Sequence, residues 1–500
     1  MSDNLNTHLN LVTIVTQFGG SAEGRGDTQL IGELARLLDA DAAWPRLWLT
    51  WATLRGELPL EHDLIEFSRH LRLSGAAPAI AAINRRHDLT VFGYAGTVEI
   101  VSNAVIVDVH HTAQTDAISG IQRVVRETVG RWKQNHDVVL VAWTHDHRAL
   151  RRLTEAESAR IRPTSSGDGI VLSSTEHDAE SSRSARAMPI FVPNGGALIV
   201  PELAADSGRA ERLLALSRFS GIPTSYIVHD RVPVTSGETT PAPIAAQFPL
   251  YLDALAYSGT LAANSASTAR EFESWRKTLA ASGRTSPNII TVPLGGETVR
   301  ITDDEHDAAG ENLLVGEVTL SLTDPPMVLV VGSHEPRKNH LQVLHAARSL
   351  WVRGVDFQLV FVGGAGWNSG EFDHLAVSLK SDGHPLTIVK VATDELLSRV
   401  YRHAVVSVFT SLHEGFGLPI VESLRAGTPV ITSAVGSMQE LADTYSGVVT
   451  VDPRSDEALE EVLFGLLTEP DRLAELTTAL DSNVYVTWDE YAERTWHELV

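Results

Sequence analysis

The apolar residues of this chain fall into two textures. Between about residues 27 and 87 they recur at three-and-four spacing, as in TQLIGELARLLDADAAW, which predicts amphipathic helices. The next stretch, WPRLWLTWATL, places Trp44, Trp48 and Trp51 on one helical face. Such a stripe suits packing, with an acceptor platform or a membrane-interface belt as the alternative uses. From about residue 95 short β-branched runs alternate with helical stretches. NAVIVDV, DVVLVAW, ALIVPEL, TSYIVHD, TLAANS and NIITVPL read as strands, and GIQRVVRETVGRW as the helix after the first of them. The texture then repeats. MVLVVG, FQLVFVGG, LTIVKV, VVSVFTS and TPVITS are predicted strands, with helices at NHLQVLHAARSLWVRG, ended by Gly354, and PIVESLRAG, closed by Gly427.

This alternation predicts an α/β protein built from two Rossmann-like domains, each a parallel sheet with helices on both faces. Facing each other, they enclose a cleft lined by the carboxyl ends of strands, where open α/β sheets bind ligands. The expected division is a helical amino-terminal extension over 1–95, a first Rossmann-like domain over 96–310 and a second over 311–480. The Ser-rich, charged segment 162–188 reads as a mobile loop of the first domain, and the acidic run 301–312 as the linker.

Composition narrows the chemistry. At 500 residues the chain exceeds one ordinary core. A formal charge of -23 repels a phosphate-rich polymer, so no nucleic-acid partner is expected, while a small anion in a local basic pocket stays allowed. With no cysteine, disulfides, Cys-ligated zinc and thiol nucleophiles are excluded. The amino terminus does not read as a signal peptide, and no apolar run approaches the ~20 residues that span a bilayer. A cytoplasmic protein is expected, with peripheral attachment at the inner membrane face left open. The local pairs His110-His111 and His145-Asp146-His147 lack matching carboxylate spacing, and Asp39-Ala40-Asp41 sits in a helical pattern. No metal site is expected.

Three strand–loop–helix junctions carry candidate chemistry. In TSLHEGFGLPIVESLRAG, Gly415 and Gly417 allow close approach of backbone to ligand, and Pro419 opens a helix whose first amides suit an anion. Glu414 precedes the turn and Glu422 follows eight residues later inside the helix. In VVGSHEPRKNH a strand ends at Gly332-Ser333, and Arg337-Lys338 offer a planar fork and a mobile point charge, the groups that hold a diphosphate. In the first domain, Gly120 sits before a helix, again suited to phosphate. The strand YIVHD ends in His229-Asp230, and VPELA ends another strand at Glu202.

Together these segments resemble the E-x7-E region, the G-x-x-E-P-R-K-N motif, the glycine turn and the HD pair of retaining GT-B glycosyltransferases of family four. The likeness spans roughly 100–499. It implies that Glu422 bonds the ribose hydroxyls of a nucleotide sugar, that Glu414 faces the transferred sugar, and that Phe416, Gly417 and Leu418 contact sugar and phosphate through their backbone. Lys338 and Arg337 would hold the donor diphosphate beside Gly332 and Ser333, the latter standing where some relatives carry Arg. Gly120 and Ile121 would touch the phosphates from the first domain, His229 would lie at the catalytic centre, and the main chain near Lys390 and Val391 would contact the base. Asp230 and Glu202 are candidates for the acceptor side. The final helix, within 481–500, would pack back on the first domain. The implied activity is metal-independent, cofactor-free transfer of a hexose, mannose-like and GDP-linked by preference, to a glycan or lipid-linked glycan acceptor in polysaccharide biosynthesis. The rival functions are another nucleotide-sugar enzyme such as an epimerase, a catalytically silent glycan-binding subunit and, more distantly, a nicotinamide oxidoreductase.

Overall fold

The computed structural model describes residues 2–85, 97–116, 119–163, 188–296, 312–315, 318–321 and 325–500. The loop read at 162–188 and the linker read at 301–312 lie outside these residues apart from their ends.

Five helices open the chain: α1 (Ser2–Gln17), α2 (Asp27–Ala40), α3 (Trp44–Arg55), α4 (Glu61–Ser74) and α5 (Ala76–Arg85). The first of them was missed in the polar amino-terminal sequence. Its one apolar patch places Leu11, Ile14 and Val15 at helical spacing, and all three are fully buried. Trp48 and Trp51 are also core residues, sharing a cluster with Leu34, Leu54 and Phe67 and, continuously, with Phe191 and Leu198 of the following sheet. Packing is thus what the tryptophan stripe does. Burying one such ring removes on the order of 200 Å² from water, about 5 kcal/mol before ordering entropy is counted. Trp44 alone stays half-exposed, tilted over Phe219 with centroids 4.8 Å apart. The Asp39–Asp41 run ends α2, where Asp41 accepts from the Ala43 amide.

The first sheet has nine strands: β1 (Val98–Ser102), β2 (Val105–Asp108), β3 (Val138–Trp143), β4 (Leu150–Arg152), β5 (Ile190–Asn194), β6 (Ala197–Val200), β7 (Thr224–Val228), β8 (Thr260–Ala263) and β9 (Asn288–Thr291). Their order is β1-β5-β4-β3-β2-β6-β7-β8-β9, parallel except where β4 meets β3 and β5. A short helix α6 (His110–Ala113) follows β2, and α7 (Gly120–Asn135) leads to β3.

After an antiparallel hairpin of β10 (Asn312–Val315) and β11 (Val318–Ser321) comes the second sheet. It comprises β12 (Met327–Val331), β13 (Gln358–Val362), β14 (Leu386–Val389), β15 (Ala404–Phe409), β16 (Val430–Ser433) and β17 (Val448–Val451). All six are parallel, in the order β14-β13-β12-β15-β16-β17. Helices cover both faces, which is why MVLVV and QLVFV read as unbroken apolar runs. The chain builds outward from β12 in one direction, then returns to β15 and builds in the other. The crevice between the carboxyl ends of β12 and β15 is therefore the switch point where such sheets take ligands.

The last helix, Trp488–Leu499, leaves the second lobe and docks on the first. Trp132 Nε1 donates to the Ala492 carbonyl at 2.7 Å, Ser225 Oγ donates to the Leu499 carbonyl at 3.1 Å, and His136 stacks on Trp496 at 4.0 Å. Among the described residues no helix is long and apolar enough to cross a membrane.

Candidate functional site

The second lobe's contribution starts where β12 ends. Gly332 adopts φ 148°, and Pro336–Lys338 forms a single 3-10 turn before Asn339, itself left-handed, starts the next helix. The FVGGAGW turn lies against this segment. A Cβ on Gly363 would sit 2.0 Å from the Gly332 carbonyl oxygen, and one on Gly366 2.8 Å from the Glu335 amide. These glycines serve a backbone-to-backbone contact that shapes the cation-bearing turn, and no side chain fits there.

From β15, the chain runs through Thr410 to Gly417, the left-handed residue (φ 110°) that precedes the helix Leu418–Arg425. The Leu412 amide donates to the Arg337 carbonyl at 2.8 Å, stitching the two junctions together across the crevice. Glu414 is thereby brought against both predicted cations. Arg337 Nη1 lies 2.7 Å from Glu414 Oε2, and Lys338 Nζ 2.7 Å from Oε1. Arg337 also reaches Glu335 at 3.3 Å and donates to the His413 carbonyl at 2.7 Å, while Lys338 sits over the Phe409 ring. Glu335 in turn accepts from Ser333 Oγ at 2.8 Å. Burial alone would raise the Glu414 carboxyl. The charges of Arg337 and Lys338 outweigh it and hold the group at about 2, so it is a carboxylate at neutral pH.

Across the crevice stands the first lobe. His229, at the end of β7, donates from Nε2 to the Pro201 carbonyl at 2.9 Å. Burial drives its pKa down, so the ring is neutral and Nδ1 keeps its lone pair. Asp230 accepts from the Val232 amide, and its charge helps raise the Arg337 and His413 pKa values, which places it within electrostatic reach of the opposite wall. The lobes touch at Gly415. Ser265 Oγ and Thr268 Oγ1 both donate to its carbonyl, at 2.6 and 3.1 Å. Glu440 caps the first-lobe helix Ala266–Ala281, accepting from the Ala266 and Ser267 amides at 2.9 Å each. His413 Nε2 meets Glu271 at 2.9 Å, and Trp367 Nε1 donates to the Thr239 carbonyl at 2.6 Å.

Glu422 forms a second cluster, buried within the helix after Gly417. One of its oxygens takes Arg123 Nη1 at 2.5 Å and the other the Tyr401 hydroxyl at 3.2 Å. The other Arg123 nitrogen pairs with Asp394, in the first turn of the helix Asp394–His403. Arg123 belongs to α7, three residues beyond Gly120. Gly120 and Ile121 turn out to be the first two helical residues, with Ser119 as the cap that closes a box with Gln122. Their amides are therefore among those with no carbonyl inside the helix. Phe416 is buried and Leu418 half-buried beside this cluster, whereas Val391 is exposed and Lys390 lies on the surface beyond β14, its carbonyl against Gly364.

Glu202 is a correction. It does not face an acceptor space: it is 1% exposed, and both oxygens are committed. They accept from the His111 and Thr112 amides and the Thr112 hydroxyl, and pair with Arg209 at 2.8 Å. Arg209, itself fully buried, is shared with Asp108 at 3.0 Å. A carboxylate satisfied from four directions stabilises the loop after β2 and has nothing left to offer a sugar. The neighbouring His110 and His147 rings approach with Nε2 atoms 3.1 Å apart. Among the described residues no three His, Asp or Glu side chains gather as ligands for a metal ion.

The structure thus assembles Arg337, Lys338, Gly332, Ser333 and Glu414 on one wall and His229 and Asp230 on the other, with Glu422, Gly120 and Ile121 in an adjoining cluster. Sequence reasoning missed Arg123, Glu335, Asp394, His413 and Glu440. Arg123 had a usable signal, since residues three apart on a helix share a face with the glycine already singled out.

Residues 317–484 match the family described as glycosyl transferases group 1. The serotype-specific mannosyltransferase WbdA of Escherichia coli is 28% identical over 374 residues, which is 72% of this chain and 41% of that protein. The O-antigen chain mannosyltransferase B of Escherichia coli is 32% identical over 152 residues, 30% of this chain and 39% of that one. The chain therefore spans about two fifths of the length of these curated relatives. Among solved structures, sucrose-phosphate synthase from Thermosynechococcus elongatus superposes with a TM-score of 0.53 at 15% identity, over 79% of this chain and 98% of that one. Anabaena Alr3699/HepE in complex with UDP and glucose gives 0.52 at 12% identity over the same shares, 79% and 98%. At such identities the likeness is one of fold, and the GT-B architecture expected from the sequence is the one found.

Proposed function

We propose that this chain, whose residues 317–484 carry the glycosyl transferases group 1 domain, is a retaining hexosyltransferase that moves a mannose-like sugar from a nucleotide donor, GDP-linked by preference, to a glycan or lipid-linked glycan. The observation that carries the reading is the buried triad of Glu414, Arg337 and Lys338 at the sheet's switch point, faced by neutral His229.

The triad explains how the chemistry proceeds. Breaking the sugar–phosphate bond builds negative charge on the departing diphosphate, and groups already oriented toward it accelerate that step. Glu414 holds the Arg337 fork and the Lys338 ammonium in place within a site that excludes water. When the diphosphate arrives, the cations share themselves between it and Glu414, and their pull on phosphate grows as the bond lengthens. An ionised Glu414 also accepts hydrogen bonds from sugar hydroxyls. The ribose diol goes to Glu422, the Gly120 and Ile121 amides point at the phosphates, and the base lies along Lys390–Val391. The acceptor approaches over Asp230, and the leaving phosphate takes its proton. Positive charge for the diphosphate comes from Arg337 and Lys338, so the proposed reaction needs no metal ion. The mannosyl preference rests on the names of the relatives and on the EPRKN and HEGFGLP motifs.

A panel of nucleotide sugars followed by thermal shift and by acceptor-dependent turnover tests this. Ligands that bind the native state raise its apparent stability. GDP-mannose is expected to stabilise the protein and to support transfer with an unchanged anomeric configuration by NMR. The double variant R337A/K338A should lose transfer by about 10³-fold or more. Stabilisation by none of the nucleotide sugars, or undiminished transfer in that variant, would sink the reading.

A further inference from the structure

Arg123 is a cation that the first lobe inserts into the second lobe's acidic cluster. Its guanidinium forks across two carboxylates from different helices, Nη1 on Glu422 Oε1 at 2.5 Å and Nη2 on Asp394. Glu422 has its other oxygen on Tyr401 OH. The side chain of Glu422 is only 11% exposed, and that of Arg123 only 16%. Each Glu422 oxygen is already engaged, one by an arginine and the other by a phenol, and the burial of the pair leaves a vicinal diol little room to reach either. Burial weakens the Arg123 charge, but the carboxylates of Glu422 and Asp394 outweigh this and push its pKa up, so the guanidinium stays charged.

We propose that Arg123 is an interdomain latch: it occupies the carboxylate that binds the donor's ribose, holds the cleft shut in the absence of donor, and is displaced when the ribose diol takes Glu422. The inference rests on the assignment of Glu422 to ribose. Its geometric consequence is that donor binding and lobe opening are one event. Arg123 lies one turn into α7 from Gly120 and Ile121, so withdrawing the fork moves that helix terminus away from the donor wall. Among the other contacts between the lobes, those through Gly415, Glu440 and His413 lie around the other cluster. Loss of the latch therefore opens the ribose side of the cleft first. The donor's diol replaces the guanidinium on Glu422, the freed guanidinium remains beside the incoming phosphates, and re-closure follows once the cleft is charge-balanced. A protein held mainly in the latched state binds its ligand more weakly in proportion to the small fraction that is open.

The test compares wild type with Arg123→Ala, Asp394→Asn and Glu422→Gln by titration calorimetry with GDP, UDP and ADP, and with the 2′,3′-dideoxy form of whichever binds. Amide hydrogen exchange of the free proteins reports opening along residues 119–123. The latch predicts that Arg123→Ala binds the ribonucleotide about tenfold more tightly, that Asp394→Asn moves the same way by a smaller factor, and that in both variants the dideoxy ligand still binds more weakly than the ribonucleotide. Both variants should exchange faster than wild type at 119–123 without ligand. Asp394→Asn keeps shape and removes one arm only, so it decides the matter if Arg123→Ala folds poorly. Weaker ribonucleotide binding in both variants makes Arg123 a donor ligand and overturns the latch, as does unchanged binding. If Glu422→Gln binds the ribonucleotide as wild type does, or none of the three nucleotides binds, the ribose assignment itself fails. Loss of binding in Glu422→Gln with no gain in Arg123→Ala fails the latch alone.

Discussion

A methyl group placed at Gly415 tests whether the two lobes must meet as they do here. A Cβ on that glycine would stand 1.8 Å from the carbonyl oxygen of His229 and 2.8 Å from its carbonyl carbon, both backbone atoms of the opposite lobe. Gly415 is not among the residues with positive φ, so alanine costs the local backbone little and the effect falls on the interface. Restoring an ordinary contact of about 3.4 Å requires the lobes to part by roughly 1.6 Å at this point. A misplacement of about 1 Å between reacting groups costs on the order of 10²-fold in rate, or about 2.7 kcal/mol at 1.36 kcal/mol per decade. Gly415→Ala should therefore lower kcat/KM for transfer by about 10²-fold or more. Nucleotide affinity, which belongs chiefly to the second lobe, should change much less. Steady-state kinetics with the identified donor, calorimetric Kd for the matching nucleoside diphosphate and a thermal melt separate the three quantities. Wild-type turnover would refute the reasoning, because the lobes would then not need the observed approach. So would a collapse of nucleotide binding equal to the loss of rate, since the damage would lie in the donor wall.

Two further outcomes follow from buried charge. Glu202→Ala should destabilise the first lobe by about 3–5 kcal/mol, because it strips a partner from fully buried Arg209. A lower unfolding midpoint is the readout, and an unshifted midpoint with a raised acceptor KM would return Glu202 to the acceptor side. For His413, burial pulls the pKa down but the hydrogen bond and charge of Glu271 outweigh it, leaving the folded value above the ordinary ~6.5. The stability this pair contributes is fully present below about pH 6.5 and is lost as pH rises through the raised value. The gap in melting temperature between wild type and Glu271→Gln should accordingly shrink as the pH rises above about 6.5, and a gap that widens would contradict the pairing.

What the sequence disclosed and what it concealed divide along a physical line. The GSHEPRKN and HEGFGLPIVE junctions were legible because strand, glycine turn and helix follow one another within a dozen residues, and local chemistry punctuates each step. Which carboxylate neutralises which cation was not. Glu414 finds Lys338 across 76 positions and Glu422 finds Arg123 across 299, and spacing carries no trace of such pairings. Glu202 shows the same limit from the other side. A strand-end carboxylate looks alike in sequence whether it opens on a cleft or folds back on a loop, and here the amides of His111 and Thr112, some 90 positions earlier, decide it. The α1 helix was overlooked for a simpler reason: the buried apolar residues Leu11, Ile14 and Val15 make a narrow stripe, and it is stabilised by packing on α2 and α3 rather than by its own composition.

The return of the last helix to the first lobe has a mechanical consequence. The chain leaves the first sheet after Thr291 to build the second, and comes back between Ser482 and Trp488 to anchor on α7 and β7. The two covalent crossings run side by side, the Gly296 amide donating to the Val486 carbonyl at 3.1 Å. Lobes joined at one such seam can swing about it as covers swing on a spine.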